Sequence, residues 1–221
     1  MIAPLRRRFE RMPHWAVKLL PNIWWHAPFD RQQLYLTFDD GPHPDYTPMI
    51  LDLLERLQIR ATFFLIGKHA ERNPELVQRL ARHHRLGNHT WNHPNLRRQN
   101  RDFIAQELAP TRKLLTELGG EDVRLFRPPY GAFGPTLARY VREHDQQMVL
   151  WDVLPWDFLP HRTKEEISHA LLQHARGGSI IVLHDGHRCA EITRRALEHC
   201  IPILQQRGFA FEPLPAKTFL E

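Results

Sequence analysis

Cysteine is scarce in this sequence, whose 221 residues contain only Cys189 and Cys200. Both lie in one segment with a helical pattern, where a rise of about 1.5 Å per residue would place them ~16 Å apart. Because a disulfide requires Cα atoms within ~7 Å of each other, we expect two free thiols. Free thiols are typical of a reducing compartment, which favours a cytoplasmic location.

Long apolar runs are also missing, including at the N-terminus. This stretch starts with basic residues, but Lys18 and Pro21 interrupt its apolar segments and no small-residue cleavage site is visible. It matches neither a secretory signal nor a membrane span, which needs ~20 mostly apolar residues. We expect residues 1–30 to form a strap that packs on the main domain, and the alternative is weak contact with a membrane surface. The side chains expected to pack are Trp15, Leu19, Leu20, Trp24 and Trp25.

No basic stripe and no glycine-rich nucleotide motif is present. The formal charge is +5 and the isoelectric point is about 9.6, but residues 1–29 hold much of the excess as arginine and lysine. The rest of the chain is close to neutral and has no recognisable nucleic-acid motif, so we expect no nucleic-acid partner. The first apolar run is not followed by G-x-G-x-x-G, which argues against a dinucleotide site.

What the sequence does contain is an alternation of short apolar runs with longer amphipathic segments. The run LYLTF is followed by TPMILDLLERLQ (47–58), whose apolar residues recur at helical spacing. Thr47 is the expected N-cap of this helix, and Thr163 and Glu166 have the spacing of a capping box before a later one. About seven such strand–helix units predict a parallel sheet in a closed or nearly closed (β/α) barrel rather than a doubly wound sheet. We expect one domain over residues 31–221, and a monomer.

Polar residues that can bind metals or move protons follow five of the predicted strands. In a (β/α) barrel the carboxyl ends of the strands meet on one face, where active sites of this fold lie. We therefore expect these side chains to lie close together. They are Asp39 and Asp40 in TFDDGP, His89 and His93 in GNHTWNHP, Arg127 and Tyr130 in FRPPYG, Asp152 and Asp157 in WDVLPWDF, and His184 and Asp185 in VLHDG.

His89 and His93 have the spacing of metal ligands. If their loop takes one helical turn, the i, i+4 spacing turns both imidazoles the same way. Asp40 would add a carboxylate and complete a three-ligand site with one position open for water. A divalent cation in such a site lowers the pKa of bound water and polarises a carbonyl. Surface histidines without a metal are the alternative.

The other polar groups have structural explanations as well. The carboxylates of TFDDGP could accept backbone hydrogen bonds in a capped turn. The RPPY segment could be a rigid turn, and Arg127 would gain a role by forming a bidentate pair with a carboxylate from another strand end. His184 follows four aliphatic residues, so it is either a packed core histidine or a side chain that emerges at the barrel mouth.

Taken in order, TFDDGP, HTWNHP, RPPYG, DVLPWDF and VLHD resemble the motifs of the polysaccharide deacetylase (NodB-homology) family, carbohydrate esterase family four. The resemblance extends from about residue 33 to residue 213. It implies a distorted (β/α) barrel of the NodB-homology type. It also implies a metal-dependent hydrolase that removes N-acetyl groups from N-acetylglucosamine-containing oligo- or polysaccharide and releases acetate.

The resemblance implies a role for each residue of the reaction centre. Asp39 would be the general base, and Arg127 would orient it. His184 would be the general acid, held in place by Asp157. One divalent metal would be bound, usually zinc, with cobalt or nickel as alternatives. Its ligands would be Asp40, His89 and His93.

The resemblance also implies residues that bind the substrate, and one of these positions, in the fourth motif, departs from the family pattern. The backbone N–H of Tyr130 would stabilise the oxyanion, Leu183 would line the pocket for the acetyl methyl group, and Pro128 would contact the substrate. In the fourth motif an aromatic residue, usually tryptophan, is expected directly after the second aspartate. Here Trp156 precedes that aspartate and Phe158 follows it. We assign the pocket wall to Phe158, with Trp156 as a second contributor.

Two alternative functions stay open at this point. Relatives of this fold hydrolyse cyclic imides or ureides, so the same metal site could act on another amide. A catalytically silent carbohydrate-binding protein would also retain the fold, although loss of Asp39 or His184 would be its expected sign and both are present. The sequence does not identify the glycan or its chain length.

Overall fold

Strands and helices alternate along the part of the chain that the computed structural model describes, residues 23–27 and 32–215. The strands are β1 (Gln33–Asp39), β2 (Thr62–Leu65), β3 (Arg85–Asn88), β4 (Leu125–Phe126), β5 (Gln147–Met148), β6 (Ile180–His184) and β7 (Ala210–Phe211). The helices are α1 (Tyr46–Arg56), α2 (Gly67–Arg72), α3 (Pro74–Ala81), α4 (Arg101–Gly119), α5 (Pro135–Glu143), α6 (Lys164–His174) and α7 (Ala190–Gln206).

The strands form one parallel sheet in the order β5–β4–β3–β2–β1–β6, and β7 pairs with the start of β1. Residues 23–27 lie beside the edge strands, where Trp24 forms a parallel bridge to Val149 just after β5. In the chain that follows β5, Val153 forms a parallel bridge to Ile181 on β6. These bridges link the two edges of the sheet, which confirms the predicted distorted (β/α) barrel.

Side chains of the central strand β1 alternate between two layers. Leu34, Leu36 and Phe38 pack in the main apolar cluster, which also contains side chains of the helices. Tyr35 packs in a separate cluster inside the barrel, and Asp39 points to the same side at the carboxyl end of the strand. The two-residue period of a strand therefore keeps the outer face apolar and brings a carboxylate to the barrel mouth.

Residues 23–27 are the described part of the predicted strap. The backbone of Trp24 makes two hydrogen bonds to the chain of β5 and the residues after it, at 3.0 and 2.7 Å, and Trp25 is buried in an apolar cluster. Trp15, Leu19 and Leu20 lie outside the described residues, so their packing, the membrane-surface alternative and the division near residue 30 stay predictions. Among the described helices, none combines the length and apolar character needed to span a membrane.

One of the two helix-start predictions is confirmed and the other is wrong. Thr163 and Glu166 form the reciprocal capping box before α6. Helix α1 instead begins at Tyr46, so Thr47 lies inside it and its hydroxyl donates to the buried carboxylate of Asp185 at 2.5 Å. Burial raises the pKa of Asp185 to about 7, and the hydroxyl of Thr47 partly offsets that effect.

The two cysteines lie at the start of α7 and within it. Cys189 is the N-cap residue, and Cys200 is buried in the main apolar cluster. Both are free thiols, which confirms that they do not pair with each other. Burial raises the pKa of both thiols. The cytoplasmic location and the monomeric state stay predictions.

Candidate active site

The carboxyl ends of β1, β3 and β6 bring the predicted site residues to one cavity of about 680 Å³. Asp39 at the end of β1 lies beside His184 at the end of β6, because the two residues are paired in the strand register. β3 ends at Asn88, which pairs with Leu65 of β2, and His89 follows it directly. The cavity is lined by Asp39, Asp40, His89, His93, Tyr130, Trp156, Phe158 and His184, together with residues discussed below.

Asp40, His89 and His93 form a cluster in which one ligand atom of each lies within 4.8 Å of the others. Oδ1 of Asp40 is 3.1 Å from Nε2 of His93 and 3.5 Å from Nε2 of His89. Nδ1 of His89 donates to the carbonyl oxygen of Arg127 at 2.8 Å, so the lone pair of that ring lies on Nε2, which faces the cluster. Two imidazole nitrogens and a carboxylate oxygen beside a cavity fit a divalent cation with an open position.

The charge of Asp40 is held in place by its surroundings. Burial alone would raise the pKa of this carboxyl. The hydrogen bond from His187 and the nearby rings of His89 and His93 outweigh the burial and hold the pKa well below its usual range. Asp40 is therefore present as the carboxylate that a cation requires.

The loop from His89 to His93 differs from the predicted helical turn. Thr90 and His93 have left-handed backbones, with φ of 68° and 62°. The two rings nevertheless lie with centroids 4.9 Å apart. Glu107 on α4 replaces the internal hydrogen bonds of a helical turn, because its carboxylate accepts from the backbone N–H groups of Trp91 and Asn92, at 3.0 and 2.7 Å.

Replacing Glu107 by alanine should destabilise the protein and weaken metal binding. The change leaves two backbone donors without their acceptor, at ~1–3 kcal/mol for each, and frees the loop that carries His93. Urea unfolding and metal titration measure the two effects. Glu117→Ala is the matched control on the same helix, because Glu117 is exposed and pairs with Lys113 at 3.9 Å. Equal stability of both variants would contradict this role of Glu107.

Arg127 is completely buried and pairs with the candidate base. Its Nη1 donates to Oδ1 of Asp39 and to Oγ1 of Thr37, each at 2.7 Å. The predicted bidentate pair is not formed, because Nη2 and Nε instead donate to the carbonyl oxygens of Leu150 and Val149, at 2.9 and 3.3 Å. Burial lowers the pKa of Arg127, and the adjacent charge of Asp39 opposes that effect.

His184, which lines the cavity beside Asp39, forms a hydrogen-bonded pair with the buried Asp157. Nδ1 of His184 donates to Oδ1 of Asp157 at 2.8 Å. The second oxygen of Asp157 accepts from the backbone N–H of His184 and from the hydroxyl of Thr193, both at 2.9 Å. Burial would lower the pKa of His184, but the charge and hydrogen bond of Asp157 raise it to about 9.

The pairing of His184 with Asp157 leads to a prediction for the pH dependence of kcat/KM. A general acid must carry its proton, and a pKa near 9 keeps His184 protonated through neutral pH. Asp157→Asn removes the charge that raises the pKa, so the alkaline limb of the kcat/KM profile should move to lower pH. Asp45→Asn removes an exposed carboxylate and should leave that limb in place. An unchanged limb in Asp157→Asn would contradict the assignment of His184 as the acid.

Aromatic and aliphatic side chains form the wall of the cavity. Phe158 lies edge-on to the ring of His184 at 4.8 Å, and Trp156 lies 5.7 Å from Phe158, so both predicted aromatic residues contribute. Tyr130 is 69% exposed at the rim. Other apolar lining residues are Ile66, Trp151, Leu154 and Val182.

Two residues predicted to bind substrate do not line this cavity. Leu183 is buried in the main apolar cluster with the helices. The strand alternation of β6 turns its neighbour Val182 into the cavity, so Val182 takes the position predicted for Leu183. Pro128 is buried in the turn that connects Arg127 to Tyr130 and does not border the cavity.

The sequence did not predict three residues at the cavity, His187, His69 and Lys68. Asp152, which it did predict, has a structural role instead. Nε2 of His187 donates to Oδ2 of Asp40 at 2.8 Å, and Nδ1 of His69 donates to the backbone oxygen of Asp40 at 3.1 Å. Lys68 also lines the cavity. His187 follows a predicted strand closely, a position that could have identified it. Asp152 lies away from the cavity and accepts hydrogen bonds near Ile180 instead.

Known sequences that match this chain are deacetylases of carbohydrates. Residues 26–149 match the sequence model described as polysaccharide deacetylase. A chitooligosaccharide deacetylase from Azorhizobium caulinodans is 37% identical over 199 residues, which amount to 84% of this chain and 94% of that protein.

Solved structures share the fold and the family. The Bc1960 peptidoglycan N-acetylglucosamine deacetylase, in complex with 4-naphthalen-1-yl-N-oxidanyl-benzamide, matches with a TM-score of 0.84 and 34% identity, covering 88% of this chain and 91% of that chain. A family 4 acetyl xylan esterase from Clostridium thermocellum, in complex with a cobalt ion, matches with a TM-score of 0.78 and 32% identity, covering 82% and 88%. The chain therefore belongs to the polysaccharide deacetylase family.

Proposed function

We propose that this protein is a metal-dependent hydrolase that removes N-acetyl groups from N-acetylglucosamine-containing oligo- or polysaccharide. One observation carries the proposal. Asp39, held by Arg127, lies next to the Asp40–His89–His93 cluster and beside His184, and all but the buried Arg127 line one cavity. The relatives named for chitooligosaccharide and peptidoglycan N-acetylglucosamine deacetylation support this choice of substrate.

The proposed cofactor is one divalent cation, with zinc as our choice and cobalt or nickel as alternatives. Asp40, His89 and His93 would hold it. When bound, such a cation supplies Lewis acidity toward a carbonyl and lowers the pKa of a bound water. The mixture of imidazole and carboxylate ligands suits zinc, and the related acetyl xylan esterase in complex with cobalt supports the alternative.

The protein's own groups supply the proton transfers at the start of the reaction. The carboxylate of Asp39 accepts a proton from the attacking water while Arg127 fixes its orientation through Oδ1. The second oxygen of Asp39 lies 4.0 Å from Nε2 of His89, so the base borders the proposed cation site. The backbone N–H of Tyr130 would donate to the carbonyl oxygen of the acetamide as negative charge develops there.

Breakdown of the amide requires a proton on the leaving nitrogen. His184 donates that proton, so that the C–N bond breaks and the products are acetate and a free amino sugar. Asp157 holds the Nδ1–H of His184, which leaves Nε2 as the donor toward the cavity. Trp156, Phe158 and Val182 exclude water from the apolar side and contact the acetyl methyl group.

Two other functions use the same geometry. A hydrolase of cyclic imides or ureides would share the cation site and the base, whereas a silent carbohydrate-binding protein would show no turnover. Asp39, Arg127 and His184 are all present and paired, which favours an active hydrolase over a carbohydrate-binding protein without activity.

An assay across substrates tests the proposal. Acetate release is measured from N-acetylglucosamine oligosaccharides, peptidoglycan fragments and acetylated xylan, beside ring opening of a cyclic imide, with zinc, cobalt and nickel in turn. We expect turnover of an N-acetylglucosamine substrate. Turnover of the imide alone would support the second function, and stoichiometric metal without any hydrolysis would support the third.

A further inference from the structure

The two carboxylate oxygens of Asp40 have different partners. Oδ1 faces the ring nitrogens of His93 and His89, at 3.1 and 3.5 Å. Oδ2 accepts a hydrogen bond from Nε2 of His187 at 2.8 Å. The carboxylate is therefore held with one oxygen toward the two ligand histidines and the other oxygen on His187.

The fold places His187 at this point through the turn between β6 and α7. A side chain on the preceding Gly186 would have its Cβ 2.4 Å from the backbone oxygen of Asp40, so glycine allows the turn to approach that closely. The side chain of His187 is 59% exposed, and its described hydrogen bond is the one to Asp40. Its removal would break this contact without opening a buried void.

His187 is separate from the ligand set. Among the described residues, the cluster whose ligand atoms converge within 4.8 Å consists of Asp40, His89 and His93. His187 also borders both the active-site cavity and an adjacent cavity of about 660 Å³. It is thus placed to act on the carboxylate from the solvent side.

We propose that His187 is a positioning residue that holds Asp40 as a single-oxygen ligand of the divalent cation. The inference rests on the proposed function, because that function supplies the cation. Without His187, the carboxylate is free to rotate, and Oδ2 is free to join Oδ1 at the cation. Hydrogen-bond partners of metal ligands typically contribute 10–100-fold to metal affinity.

Zinc affinity of the full chain, measured by competition with a chromophoric chelator at one pH, tests the proposal. We expect His187→Ala to bind zinc ~10–100-fold more weakly than the unmodified protein. His187→Gln retains an N–H donor at the reach of Nε2 and should restore most of the affinity. His43→Ala is the matched control, since His43 is a half-buried histidine of the adjacent cavity whose ring lies 4.0 Å from the carboxylate of Asp45.

The visible absorption of the cobalt form gives a second readout that is independent of activity. We expect the spectrum of His187→Ala to show a higher coordination number than that of the unmodified protein, and His187→Gln to match the latter. Unchanged zinc affinity in His187→Ala would overturn the inference and leave the proposed function intact. Equal loss in His187→Gln would overturn it in favour of a direct ligand. Failure of the unmodified protein to bind zinc, cobalt or nickel would overturn the proposed function itself.

Discussion

Replacing Asp39 by asparagine should lower kcat for deacetylation by ~10²–10⁴, the usual range for the loss of a general base. The asparagine side chain has nearly the same shape, but it cannot accept a proton from the attacking water. The ligand atoms of Asp40, His89 and His93 are unchanged by the substitution, so metal content should stay the same. Acetate release and metal analysis on one preparation measure both quantities.

The control for this variant is His93→Gln, which should lose metal and activity together. The pair separates the role of the base from the role of the ligand set. Full turnover in the Asp39→Asn variant would show that another group accepts the proton. Asp39→Asn that loses the metal would show that the division of labour between Asp39 and Asp40 is wrong.

Replacing Arg127 by methionine should have the largest effect on stability. The guanidinium is completely buried, stacks 4.2 Å from the ring of Phe64, and donates to Asp39, Thr37 and two backbone carbonyls. Removal of one partner of a buried ion pair typically costs ~3–5 kcal/mol, because the other charge is left without compensation. For a chain of this size, each kcal/mol lowers Tm by about 2–4 °C, so a fall of roughly 6–20 °C is expected.

Arg79→Met is the matched control for Arg127→Met. Arg79 also pairs with carboxylates, at 2.7 Å from Asp52 and 2.9 Å from Glu55, but these groups lie at the surface. Exposed pairs typically contribute ~0–1 kcal/mol, so the control should change Tm little. If the penalty arises from an uncompensated charge, adding Asp39→Asn to Arg127→Met should recover part of the lost stability. Similar Tm values for Arg127→Met and Arg79→Met would contradict this explanation.

The parts of the fold and site that follow from short-range patterns could be predicted from the sequence. Alternating apolar runs and amphipathic segments gave the barrel, and the strand ends identified where Asp39, Asp40 and His184 would meet. These predictions succeed because the strand period and the parallel arrangement place the residues after each strand on one face. The capping box of Thr163 and Glu166 is likewise a local pattern.

The details that depend on long-range contacts could not be predicted. The loop of His89 and His93 is shaped by Glu107, a residue on the following helix, rather than by its own spacing. Thr47 has the sequence pattern of a helix cap, but the buried carboxylate of Asp185 provides a partner from a distant strand. The motif resemblance assigns Leu183 to the pocket, whereas the face of β6 on which it lies places it in the core.

Metal removal and restoration test the central claim most directly. The full chain is treated with a chelator, freed of it, and assayed for acetate release from an N-acetylglucosamine oligosaccharide before and after addition of one equivalent of zinc. We expect activity to disappear with the metal and to return at one zinc per chain, with no return in His93→Gln. Full activity of the metal-free protein, or restoration that does not depend on His93, would contradict the assignment of Asp40, His89 and His93 as the metal site of a deacetylase.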